Sequence, residues 1–575
     1  MTWLPPWVRH YQSSDLAGDI AAGVVVALLL VPQGLAYALL AGLPLEVGLY
    51  ASLAPLVVYA LLGTSRQQSV GPMAVTALMT GAALAPLASA GSAHYVALAM
   101  GLAILSGAML FVFGWLRMGW LAQYLSQPVL VGFTAASAVL IALSQLPVLL
   151  GVPVSGRGLL ALWQALSQHT WLPTFEMALG LAAMVWLWLS RRFGARALKK
   201  CGVPAALADI LAKLLPAALV IVSTAFSATF HWDTQSHVTV VGAVPAGLPQ
   251  PVWPSSLTIT DWQSLLLPAL LLGLINFVQS IAVAQTLAQK ARESIDPDRE
   301  LVALGAANLA AGVSGGMPVT GGLTRSAVNA AAGARTQLAS VLTAGWMVLI
   351  LLWGTDALYA LPQTVLAATI IMSVLTMIDL AEMRRIMAYD YADGAAMWAT
   401  AAVVMVGGVQ AGVLAGIALS LGFLVWRMSH PHIAVVGRMP GSEHFRNVRR
   451  HAVQTEARVV LLRVDESSCF ANIRPIETAL YQELSQHPDA QDVVLLMSAV
   501  NRIDATAFER LFVWQDTLAV RGIRLHLAEV KGPVMDRLSA ARQWQQFQGK
   551  VFLSAHDAAC FFSASPSVSP PVSGM

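Results

Sequence analysis

The sequence predicts an α-helical polytopic membrane protein with about fourteen transmembrane segments, followed by a small cytoplasmic α/β domain. Of its 575 residues, 57% are hydrophobic and 11% are charged, and the mean hydropathy is +0.67. A soluble chain would carry about 25% charged residues, so the composition excludes a wholly soluble protein. Apolar runs near the length of a membrane crossing recur from about Ile20 to about Val425, which places the transmembrane segments there.

Positive charge is predicted on one side of the membrane domain. The basic residues between spans are Arg66, Arg117, the cluster from Arg191 to Lys200, Lys290 with Arg292 and Arg299, Arg335, Arg384 with Arg385, and Arg427. The opposite loops hold few cations but contain Glu46, Asp233, Asp261 and Asp356. The positive-inside rule therefore predicts that both ends of the chain are cytoplasmic, which requires an even number of crossings. We expect a multi-pass protein of the bacterial inner membrane.

The composition changes after Trp426–Pro431, where evenly spread charges replace the apolar runs. We predict a transmembrane domain over residues 1–429 and a cytoplasmic domain over residues 430–562. Residues 563–575 are rich in serine and proline, so they are predicted to form a disordered tail.

Two short segments in corresponding halves of the membrane domain interrupt the apolar pattern. They are Ser69–Thr76 and Gly321–Ser326, the second within a glycine-rich stretch from Gly315 to Asn329. Paired interrupted helices indicate the binding site of an inverted-repeat transporter, because two half-helix amino termini with unpaired N–H groups can hold an anion. A further interruption is predicted near Gly312. The alternative is that these glycines only permit close helix packing.

Four motifs in order carry a resemblance to a known family. They are Val31–Ala38 (VPQGLAYA), Gly48–Ser52 (GLYAS), Ser69–Pro72 (SVGP) and Pro318–Asn329 (PVTGGLTRSAVN), and they resemble the sulfate permease (SulP) family of anion transporters. The resemblance implies two inverted repeats of seven helices, the UraA-like fold of uracil permeases. It also implies a core domain that moves against a gate domain, and a homodimer.

The resemblance implies which residues bind the anion. Carried over position by position, they are Gln33, Tyr37, Met73, Ala74, Thr324, Arg325 and Ser326. The amide and hydroxyl groups can donate hydrogen bonds to an oxyanion, helix termini add backbone N–H groups, and the guanidinium supplies the countercharge. Alternatively, Gln33 bonds backbone groups freed by the preceding proline, Tyr37 is ordinary packing, and Arg325 extends to the cytoplasmic interface.

One position departs from the family pattern. Members that couple to protons or sodium carry a carboxylate in the eighth helix, whereas the matching run Phe277–Ala282 (FVQSIA) has Gln279 there. A glutamine can orient a ligand by hydrogen bonding but cannot take up a proton near neutral pH. No other Asp or Glu is predicted within the core spans, so exchange, uniport and coupling through an unrecognised group all stay open.

The cytoplasmic part resembles a STAS domain, and Phe470–Asn472 and Ile503–Ala507 carry that resemblance. Its predicted strands are Val459–Val464, Val493–Met497, Ile523–Ala528 and Val551–Leu553. In soluble relatives a hydroxyl after the Asp can be phosphorylated, which here would be Thr506. The favoured interpretation is structural, with Asp504 as a helix N-cap. Dimer contact, folding or regulation is expected of this domain rather than chemistry.

The resulting prediction is a secondary transporter, not an enzyme, that moves a small oxyanion by an elevator-like alternating-access cycle. Sulfate is the first candidate, with bicarbonate or a C4-dicarboxylate as alternatives. A neutral-substrate permease of the uracil type and a membrane anion sensor with little flux are the rival functions. We expect the lipid bilayer and a second copy of the chain as partners, and no cofactor, metal ion or nucleic acid.

Overall fold

The computed structural model describes residues 5–9, 11–120, 126–152, 174–236 and 238–563. The chain divides into two units, Met1–Ser420 and Leu421–Met575. Most of the predicted tail, residues 564–575, lies outside the described residues, and Ser563 closes the last helix.

The first unit is built from apolar helices. Its first elements are α1 Leu16–Ala41, α2 Leu45–Tyr50, α3 Ala54–Leu62, strand β1 Val70–Gly71, α4 Ala74–Leu84, α5 Ala93–Trp115, α6 Gln127–Leu150, α7 Phe175–Lys200 and α8 Ala205–Thr229. They are followed by α9 Ile259–Ala291, α10 Pro297–Val313, strand β2 Thr320–Gly321, α11 Leu323–Ala331, α12 Leu338–Leu349, α13 Gln363–Leu375, α14 Leu380–Tyr389 and α15 Tyr391–Ser429, the last of which extends past the unit boundary at Ser420. Single helical turns occur at Pro6–Arg9 and Trp232–Gln235.

By length and composition, the described residues contain eight helices able to cross a membrane, together with the shorter apolar helices Ala74–Leu84 and Leu338–Gly354. The 39 residues of α15 would extend about 58 Å as one helix, nearly twice the hydrocarbon thickness. Gly408 interrupts it with φ 82° and ψ 173°, a conformation that glycine adopts without strain. Helix α15 is therefore two helical segments joined at Gly408.

The chain leaves the helical conformation near all three predicted glycine interruptions. It does so around Gly71 and Gly322. Helix α10 ends at Val313, one residue after Gly312. A Cβ there would come within 2.6 Å of the Ile104 side chain and 2.8 Å of the Met100 carbonyl oxygen on α5. Gly312 therefore also permits close helix packing, because a helix surface without a Cβ lets the two backbones approach.

The basic cluster from Arg191 to Lys200 was placed between spans, but it forms the last turns of α7. A helix of 26 residues is about 39 Å long, so its final turns can extend beyond the hydrocarbon core. Arg191 comes nine residues before the end of α7 and its Nη1 donates a hydrogen bond to the Met372 carbonyl of α13. This arginine therefore belongs to the packed helices rather than to a loop.

A buried acidic residue that the sequence analysis did not name lies at the start of α10. Glu300 in the first turn of α10 is 1% exposed. Its carboxylate accepts hydrogen bonds from the Tyr59 hydroxyl at 2.8 Å, from the Thr64 hydroxyl and N–H at 2.6 and 2.7 Å, and from the Ser65 N–H at 3.3 Å. Four hydrogen-bond donors offset the free-energy cost of burying this carboxylate. The same hydrogen bonds hold α3 and the loop that follows it against α10.

The second unit is a six-stranded mixed sheet with helices. Its elements are β3 Ile433–Arg438, β4 Phe445–Asn447, β5 Val459–Val464, α16 Ile473–Gln486, β6 Asp492–Leu496, α17 Ala505–Val520, β7 Arg524–Ala528, α18 Gly532–Ala540, β8 Val551–Phe552 and α19 Ala555–Ser563. The strand order is β4-β3-β5-β6-β7-β8, with β5 to β8 parallel and β3 antiparallel to both neighbours. The four predicted strands are confirmed, and β3 and β4 were missed.

The side chains of successive strand residues in the second unit point alternately to the two faces of the sheet, and both faces are apolar. Leu462 and Leu495 pack with Trp514 on one face, whereas Leu461 and Val494 belong to the core on the other. Successive strand side chains point to opposite faces, and both faces are covered by helices, so these strands are continuously apolar. The Asp504 side chain accepts a hydrogen bond from the Ala507 N–H at 2.9 Å, which confirms the predicted N-cap of α17.

Candidate functional site

The two interrupted segments meet in an antiparallel two-stranded crossing. Val70 pairs with Gly321 and Gly71 pairs with Thr320. The Gly322 N–H also donates to the Ser69 carbonyl at 3.2 Å. Because each strand runs directly into a helix, α4 and α11 both begin at this crossing.

Neither of these helices has a side-chain N-cap. The N-cap residues Met73 and Gly322 are extended, and neither makes a side-chain capping hydrogen bond to the first turn of its helix. The first backbone N–H groups of α4 and α11 therefore have no partner within their own helix, and each helix dipole places positive potential at its start. Two uncapped amino termini at one buried crossing form a suitable environment for an anion.

Arg325 lies across the crossing and is 2% exposed. Its Nη1 donates to the Pro72 carbonyl at 3.2 Å, and its Nη2 donates to the Ser69 carbonyl at 3.2 Å. Arg325 therefore contacts the opposite half-helix and does not extend to the cytoplasmic interface. None of the ion pairs formed by the described residues includes it, so its charge is buried without a carboxylate partner.

Ser326, next to Arg325, also joins the two halves. Its hydroxyl oxygen accepts from the Ser69 N–H at 3.0 Å. Asn329, one turn further along α11, donates to the Gln67 carbonyl at 2.9 Å. These bonds use backbone groups that the short strands leave free, and they hold α11 against the segment before β1.

The two predicted residues of α1 lie one turn apart on the same helix. Gln33 is half-buried next to Pro32, inside α1. Tyr37 is 6% exposed and belongs to the apolar core of the first unit.

The remaining predicted residues occupy the starts of the two half-helices. Met73 is half-buried and Ala74 is buried at the start of α4, and Thr324 is exposed in the first turn of α11. The structure thus brings Met73, Ala74, Thr324, Arg325 and Ser326 to one crossing.

Gln279 on α9 is the predicted substitute for the acidic residue. Both its side-chain amide atoms are shielded from solvent and have no hydrogen-bond partner among the described residues. An amide in that state costs free energy unless a ligand or water satisfies it. Its neighbour Ser280 accepts from the Gln68 amide at 2.5 Å, next to β1 and β2.

Two further polar residues of this region escaped the sequence analysis. The Asn276 Oδ1 accepts from the Thr76 hydroxyl at 2.8 Å, and its carbonyl accepts from the Thr320 hydroxyl at 2.8 Å. Asn276 and Gln68 are both fully buried. The sequence contained one signal for Asn276: it comes three residues before Gln279 and therefore lies on the same face of that helix. Together these side chains surround the crossing with donors and acceptors in an apolar unit.

The sequence comparisons decide the family. Residues 16–400 match the model of the sulfate permease family, and residues 450–558 match the STAS domain. The chain belongs to the sulfate permease family. A probable sulfate transporter of Mycobacterium tuberculosis is 34% identical over 547 residues, which cover 94% of each chain. The chloroplastic sulfate transporter 4.1 of Arabidopsis thaliana is 33% identical over 574 residues, covering 96% of this chain and 81% of the plant protein.

Solved structures of similar fold support the predicted architecture. The inward-facing murine Solute Carrier 26 family member A9 anion transporter aligns with a TM-score of 0.89 at 23% identity, covering 98% of this chain and 94% of that chain. The transmembrane domain of the cyanobacterial bicarbonate transporter BicA aligns with a TM-score of 0.60 at 22% identity, covering 70% of this chain and 98% of that chain. The predicted fold class and STAS domain are confirmed, and the protein is an anion transporter rather than an enzyme. The inverted-repeat relation and the homodimer stay predictions.

Proposed function

We propose that this protein is a secondary transporter that moves a small oxyanion, sulfate foremost, across the bacterial inner membrane. The observation that carries the proposal is Arg325, a buried guanidinium without a carboxylate partner at the meeting point of two uncapped helix amino termini. An unpaired buried charge is expensive, and an anion from solution would compensate it.

The charge of this crossing favours a dianion. A guanidinium contributes one positive charge, and two helix amino termini contribute about half a charge each, for a sum of roughly +2. A carboxylate at position 279 would reduce that sum, but Gln279 is neutral. The names of the relatives at 34% and 33% identity agree with sulfate as the dianion.

In the proposed site the anion accepts hydrogen bonds from first-turn N–H groups of α4 and α11, and from Thr324 and Ser326. Gln33 and Gln279 supply amide donors, and Met73, Ala74 and Tyr37 form the walls. Arg325 stabilises the charge of the bound anion while it holds the two half-helices together through Ser69 and Pro72.

We further propose an elevator-like cycle in which α1, α4 and α11 carry the anion past α6, α7 and α13. Both chain ends would be cytoplasmic, and the working form would be a homodimer. Because Gln279 cannot be protonated near neutral pH, exchange or uniport is favoured over coupling at that position.

Uptake of labelled sulfate into proteoliposomes tests the proposal. Saturable uptake that unlabelled sulfate competes away, more strongly than bicarbonate, chloride, fumarate or succinate, is the expected result. Stronger competition by bicarbonate or by the dicarboxylates would reassign the substrate. Sulfate binding to the purified protein without uptake would support an anion sensor and remove the transporter proposal.

A further inference from the structure

Asn276 is a polar residue of α9 that is completely enclosed where this helix meets the crossing. Its Oδ1 accepts a hydrogen bond at 2.8 Å from the hydroxyl of Thr76, which lies in the first turn of α4. Its backbone carbonyl accepts at 2.8 Å from the hydroxyl of Thr320 in β2. All three residues are 0% exposed. Asn276 is therefore bonded to the start of one half-helix and to the strand that leads into the other.

The amide nitrogen of Asn276 is shielded from solvent and has no hydrogen-bond partner among the described residues. Because the Thr76 hydroxyl donates to Oδ1, the amide is held with its NH2 group as the free end. That group can only donate, and burying it without an acceptor costs free energy. The Asn276 Nδ2 is therefore a fixed, buried donor next to the start of α4, and it suits a ligand that accepts hydrogen bonds.

Two further unpaired donors belong to α9 and α11. Gln279, three residues after Asn276 and on the same helix face, has an amide nitrogen without a partner among the described residues, and so has Arg325 at its Nε. The reverse holds for Gln68 and Asn329, which are bonded through their amide nitrogens and leave an oxygen unpaired. The oxygens of a fully deprotonated oxyanion only accept hydrogen bonds. Asn276 therefore belongs to the donors that such an ion can satisfy.

We propose that the Asn276 Nδ2 donates a hydrogen bond to the transported oxyanion, and that Thr76 fixes the amide in the orientation this requires. The inference rests on the proposed anion transport and adds a contact from α9 that lies outside the four motifs of the resemblance. Donors from α4, α9 and α11 then surround the ion. A tetrahedral sulfate directs oxygens out of any single plane, whereas the oxygens of nitrate lie in one plane. Asn276 thus favours a tetrahedral ion over a planar one.

Sulfate and nitrate transport in proteoliposomes tests the proposal with Asn276→Leu, Thr76→Val and the matched control Thr80→Val. N276L removes the Nδ2 donor together with the bond to Thr76, whereas T76V removes that bond alone. Thr80 is also 0% exposed and lies one turn further along α4, but its hydroxyl donates to the Thr76 carbonyl of its own helix.

We expect N276L to raise the KM for sulfate roughly ten-fold or more, because a hydrogen bond to a charged group is lost. The KM for nitrate should rise less, so the preference for sulfate over nitrate falls. T76V should raise the KM for sulfate by a smaller factor, since the donor remains, and T80V should leave both KM values unchanged.

Thermal unfolding in detergent separates this role from a purely structural one. N276L and T76V lose the same hydrogen bond, so a structural role predicts equal changes in KM and an unchanged preference for sulfate over nitrate in both. That outcome would overturn the proposal. If N276L does not fold, Asn276→Asp decides. Its carboxylate still accepts from Thr76 but presents an oxygen in place of the NH2 group, so the KM for sulfate should rise as far as expected for N276L. An unchanged KM in N276D would contradict the proposal.

A failure of this inference can be distinguished from a failure of the proposed function. Absence of sulfate uptake by the unaltered protein would overturn the transport proposal itself. Equilibrium binding of sulfate to the purified N276L and T80V proteins then decides the role of Asn276, and equal affinity in the two variants would overturn it.

Discussion

Arg325 donates a hydrogen bond to the carbonyl oxygen of Ser69 at 3.2 Å, although 256 positions separate the two residues in the chain. The same guanidinium donates to the Pro72 carbonyl at 3.2 Å. One side chain therefore holds the starts of two half-helices together and leaves its positive charge without a carboxylate. Truncating the Arg325 side chain would remove its charge and its hydrogen bonds together. Variants that change only one of these two properties are therefore needed to separate its electrostatic role from its structural role.

Replacing Arg325 by lysine keeps the charge but removes the fork that binds two carbonyls. We expect the affinity for sulfate to fall roughly ten-fold or more, and Arg325→Ala to abolish specific uptake, because hydrogen bonds to charged groups are worth about 1.5–3 kcal/mol each. The measurement is the KM of sulfate uptake in proteoliposomes. Arg335→Ala is the matched control, since Arg335 is 60% exposed and pairs with Asp15 at the surface. Equal affinity in R325A and R335A would contradict the assigned role.

Gly71→Ala tests the position of the guanidinium without changing any charge. A Cβ at Gly71 would lie 3.1 Å from the Nη2 of Arg325 and 3.3 Å from its Cζ, so the guanidinium must shift. We expect sulfate affinity to fall several-fold while the protein stays folded, by analogy with other overpacked sites. Gly345→Ala on α12 is the control, because a Cβ there meets nothing within 4 Å. A G71A variant with the KM of the unaltered protein would show that the position of Arg325 is not limiting.

Gln279→Glu should make transport depend on pH. The ionised carboxylate would offset part of the positive charge at the crossing and weaken sulfate binding, whereas its protonated form would not. Sulfate uptake by Q279E is therefore expected to increase as pH falls from about 8 to about 5, towards the ordinary pKa range of glutamate. The unaltered protein and Gln279→Ala should show a flat profile over the same range. Flat profiles for all three proteins would remove Gln279 from the site.

Glu300 is expected to be a major determinant of the stability of the first unit. Its carboxylate faces four donors, and the amide of Glu300→Gln would turn an N–H group towards some of them. We expect a loss of about 2–4 kcal/mol in the free energy of unfolding, against about 1 kcal/mol for Tyr59→Phe, which removes a single bond. Thermal unfolding of the full chain in detergent compares the two. An E300Q protein as stable as Y59F would show that the carboxylate charge is not needed.

Asp492 should make the second unit sensitive to acid. Burial opposes its ionisation, but hydrogen bonds and charge from His526 and Arg524 outweigh that effect and lower the pKa of the carboxyl. Because the folded pKa lies below the unfolded one, the ionised form contributes stability above pH about 4 that is lost as pH falls through the folded pKa. Asp492→Asn should remove that contribution, and Asp489→Asn, at an exposed position, should not. Hydrogen exchange of β6 in the full chain, corrected for intrinsic rates, measures both effects.

Features that depend on residues adjacent in the chain were predicted from the sequence, whereas features that depend on distant contacts were not. The breaks at Gly71 and Gly322 could be predicted, because glycine and proline act on the backbone where they stand. Gly312, one residue before the end of α10, also permits close packing against Ile104 and Met100, which are about two hundred positions away. A glycine in a long apolar segment does not reveal which distant segment packs against it.

The other differences between the sequence predictions and the structure arise from contacts between distant segments of the chain. The sequence analysis did not single out Glu300, which lies in the first turn of α10 and is hydrogen-bonded by the distant residues Tyr59 and Thr64. Arg191 begins a basic run of the kind that marks a cytoplasmic loop, yet its guanidinium donates a hydrogen bond to the Met372 carbonyl of α13. Charge spacing along the chain does not indicate which cation contacts a neighbouring helix.

The amino-acid sequence by itself determined the class of the protein, the order of its two units, the two interrupted helices and the type of ligand that they suit. These features depend on composition, on local backbone chemistry and on motifs that are continuous in the chain. Only the tertiary structure decided that the Gln279 amide has no hydrogen-bond partner among the described residues, and that Arg325 binds the carbonyls of Ser69 and Pro72. Each of these contacts joins segments whose separation in the chain has no relation to their distance in space, because helix packing, not sequence order, brings them together.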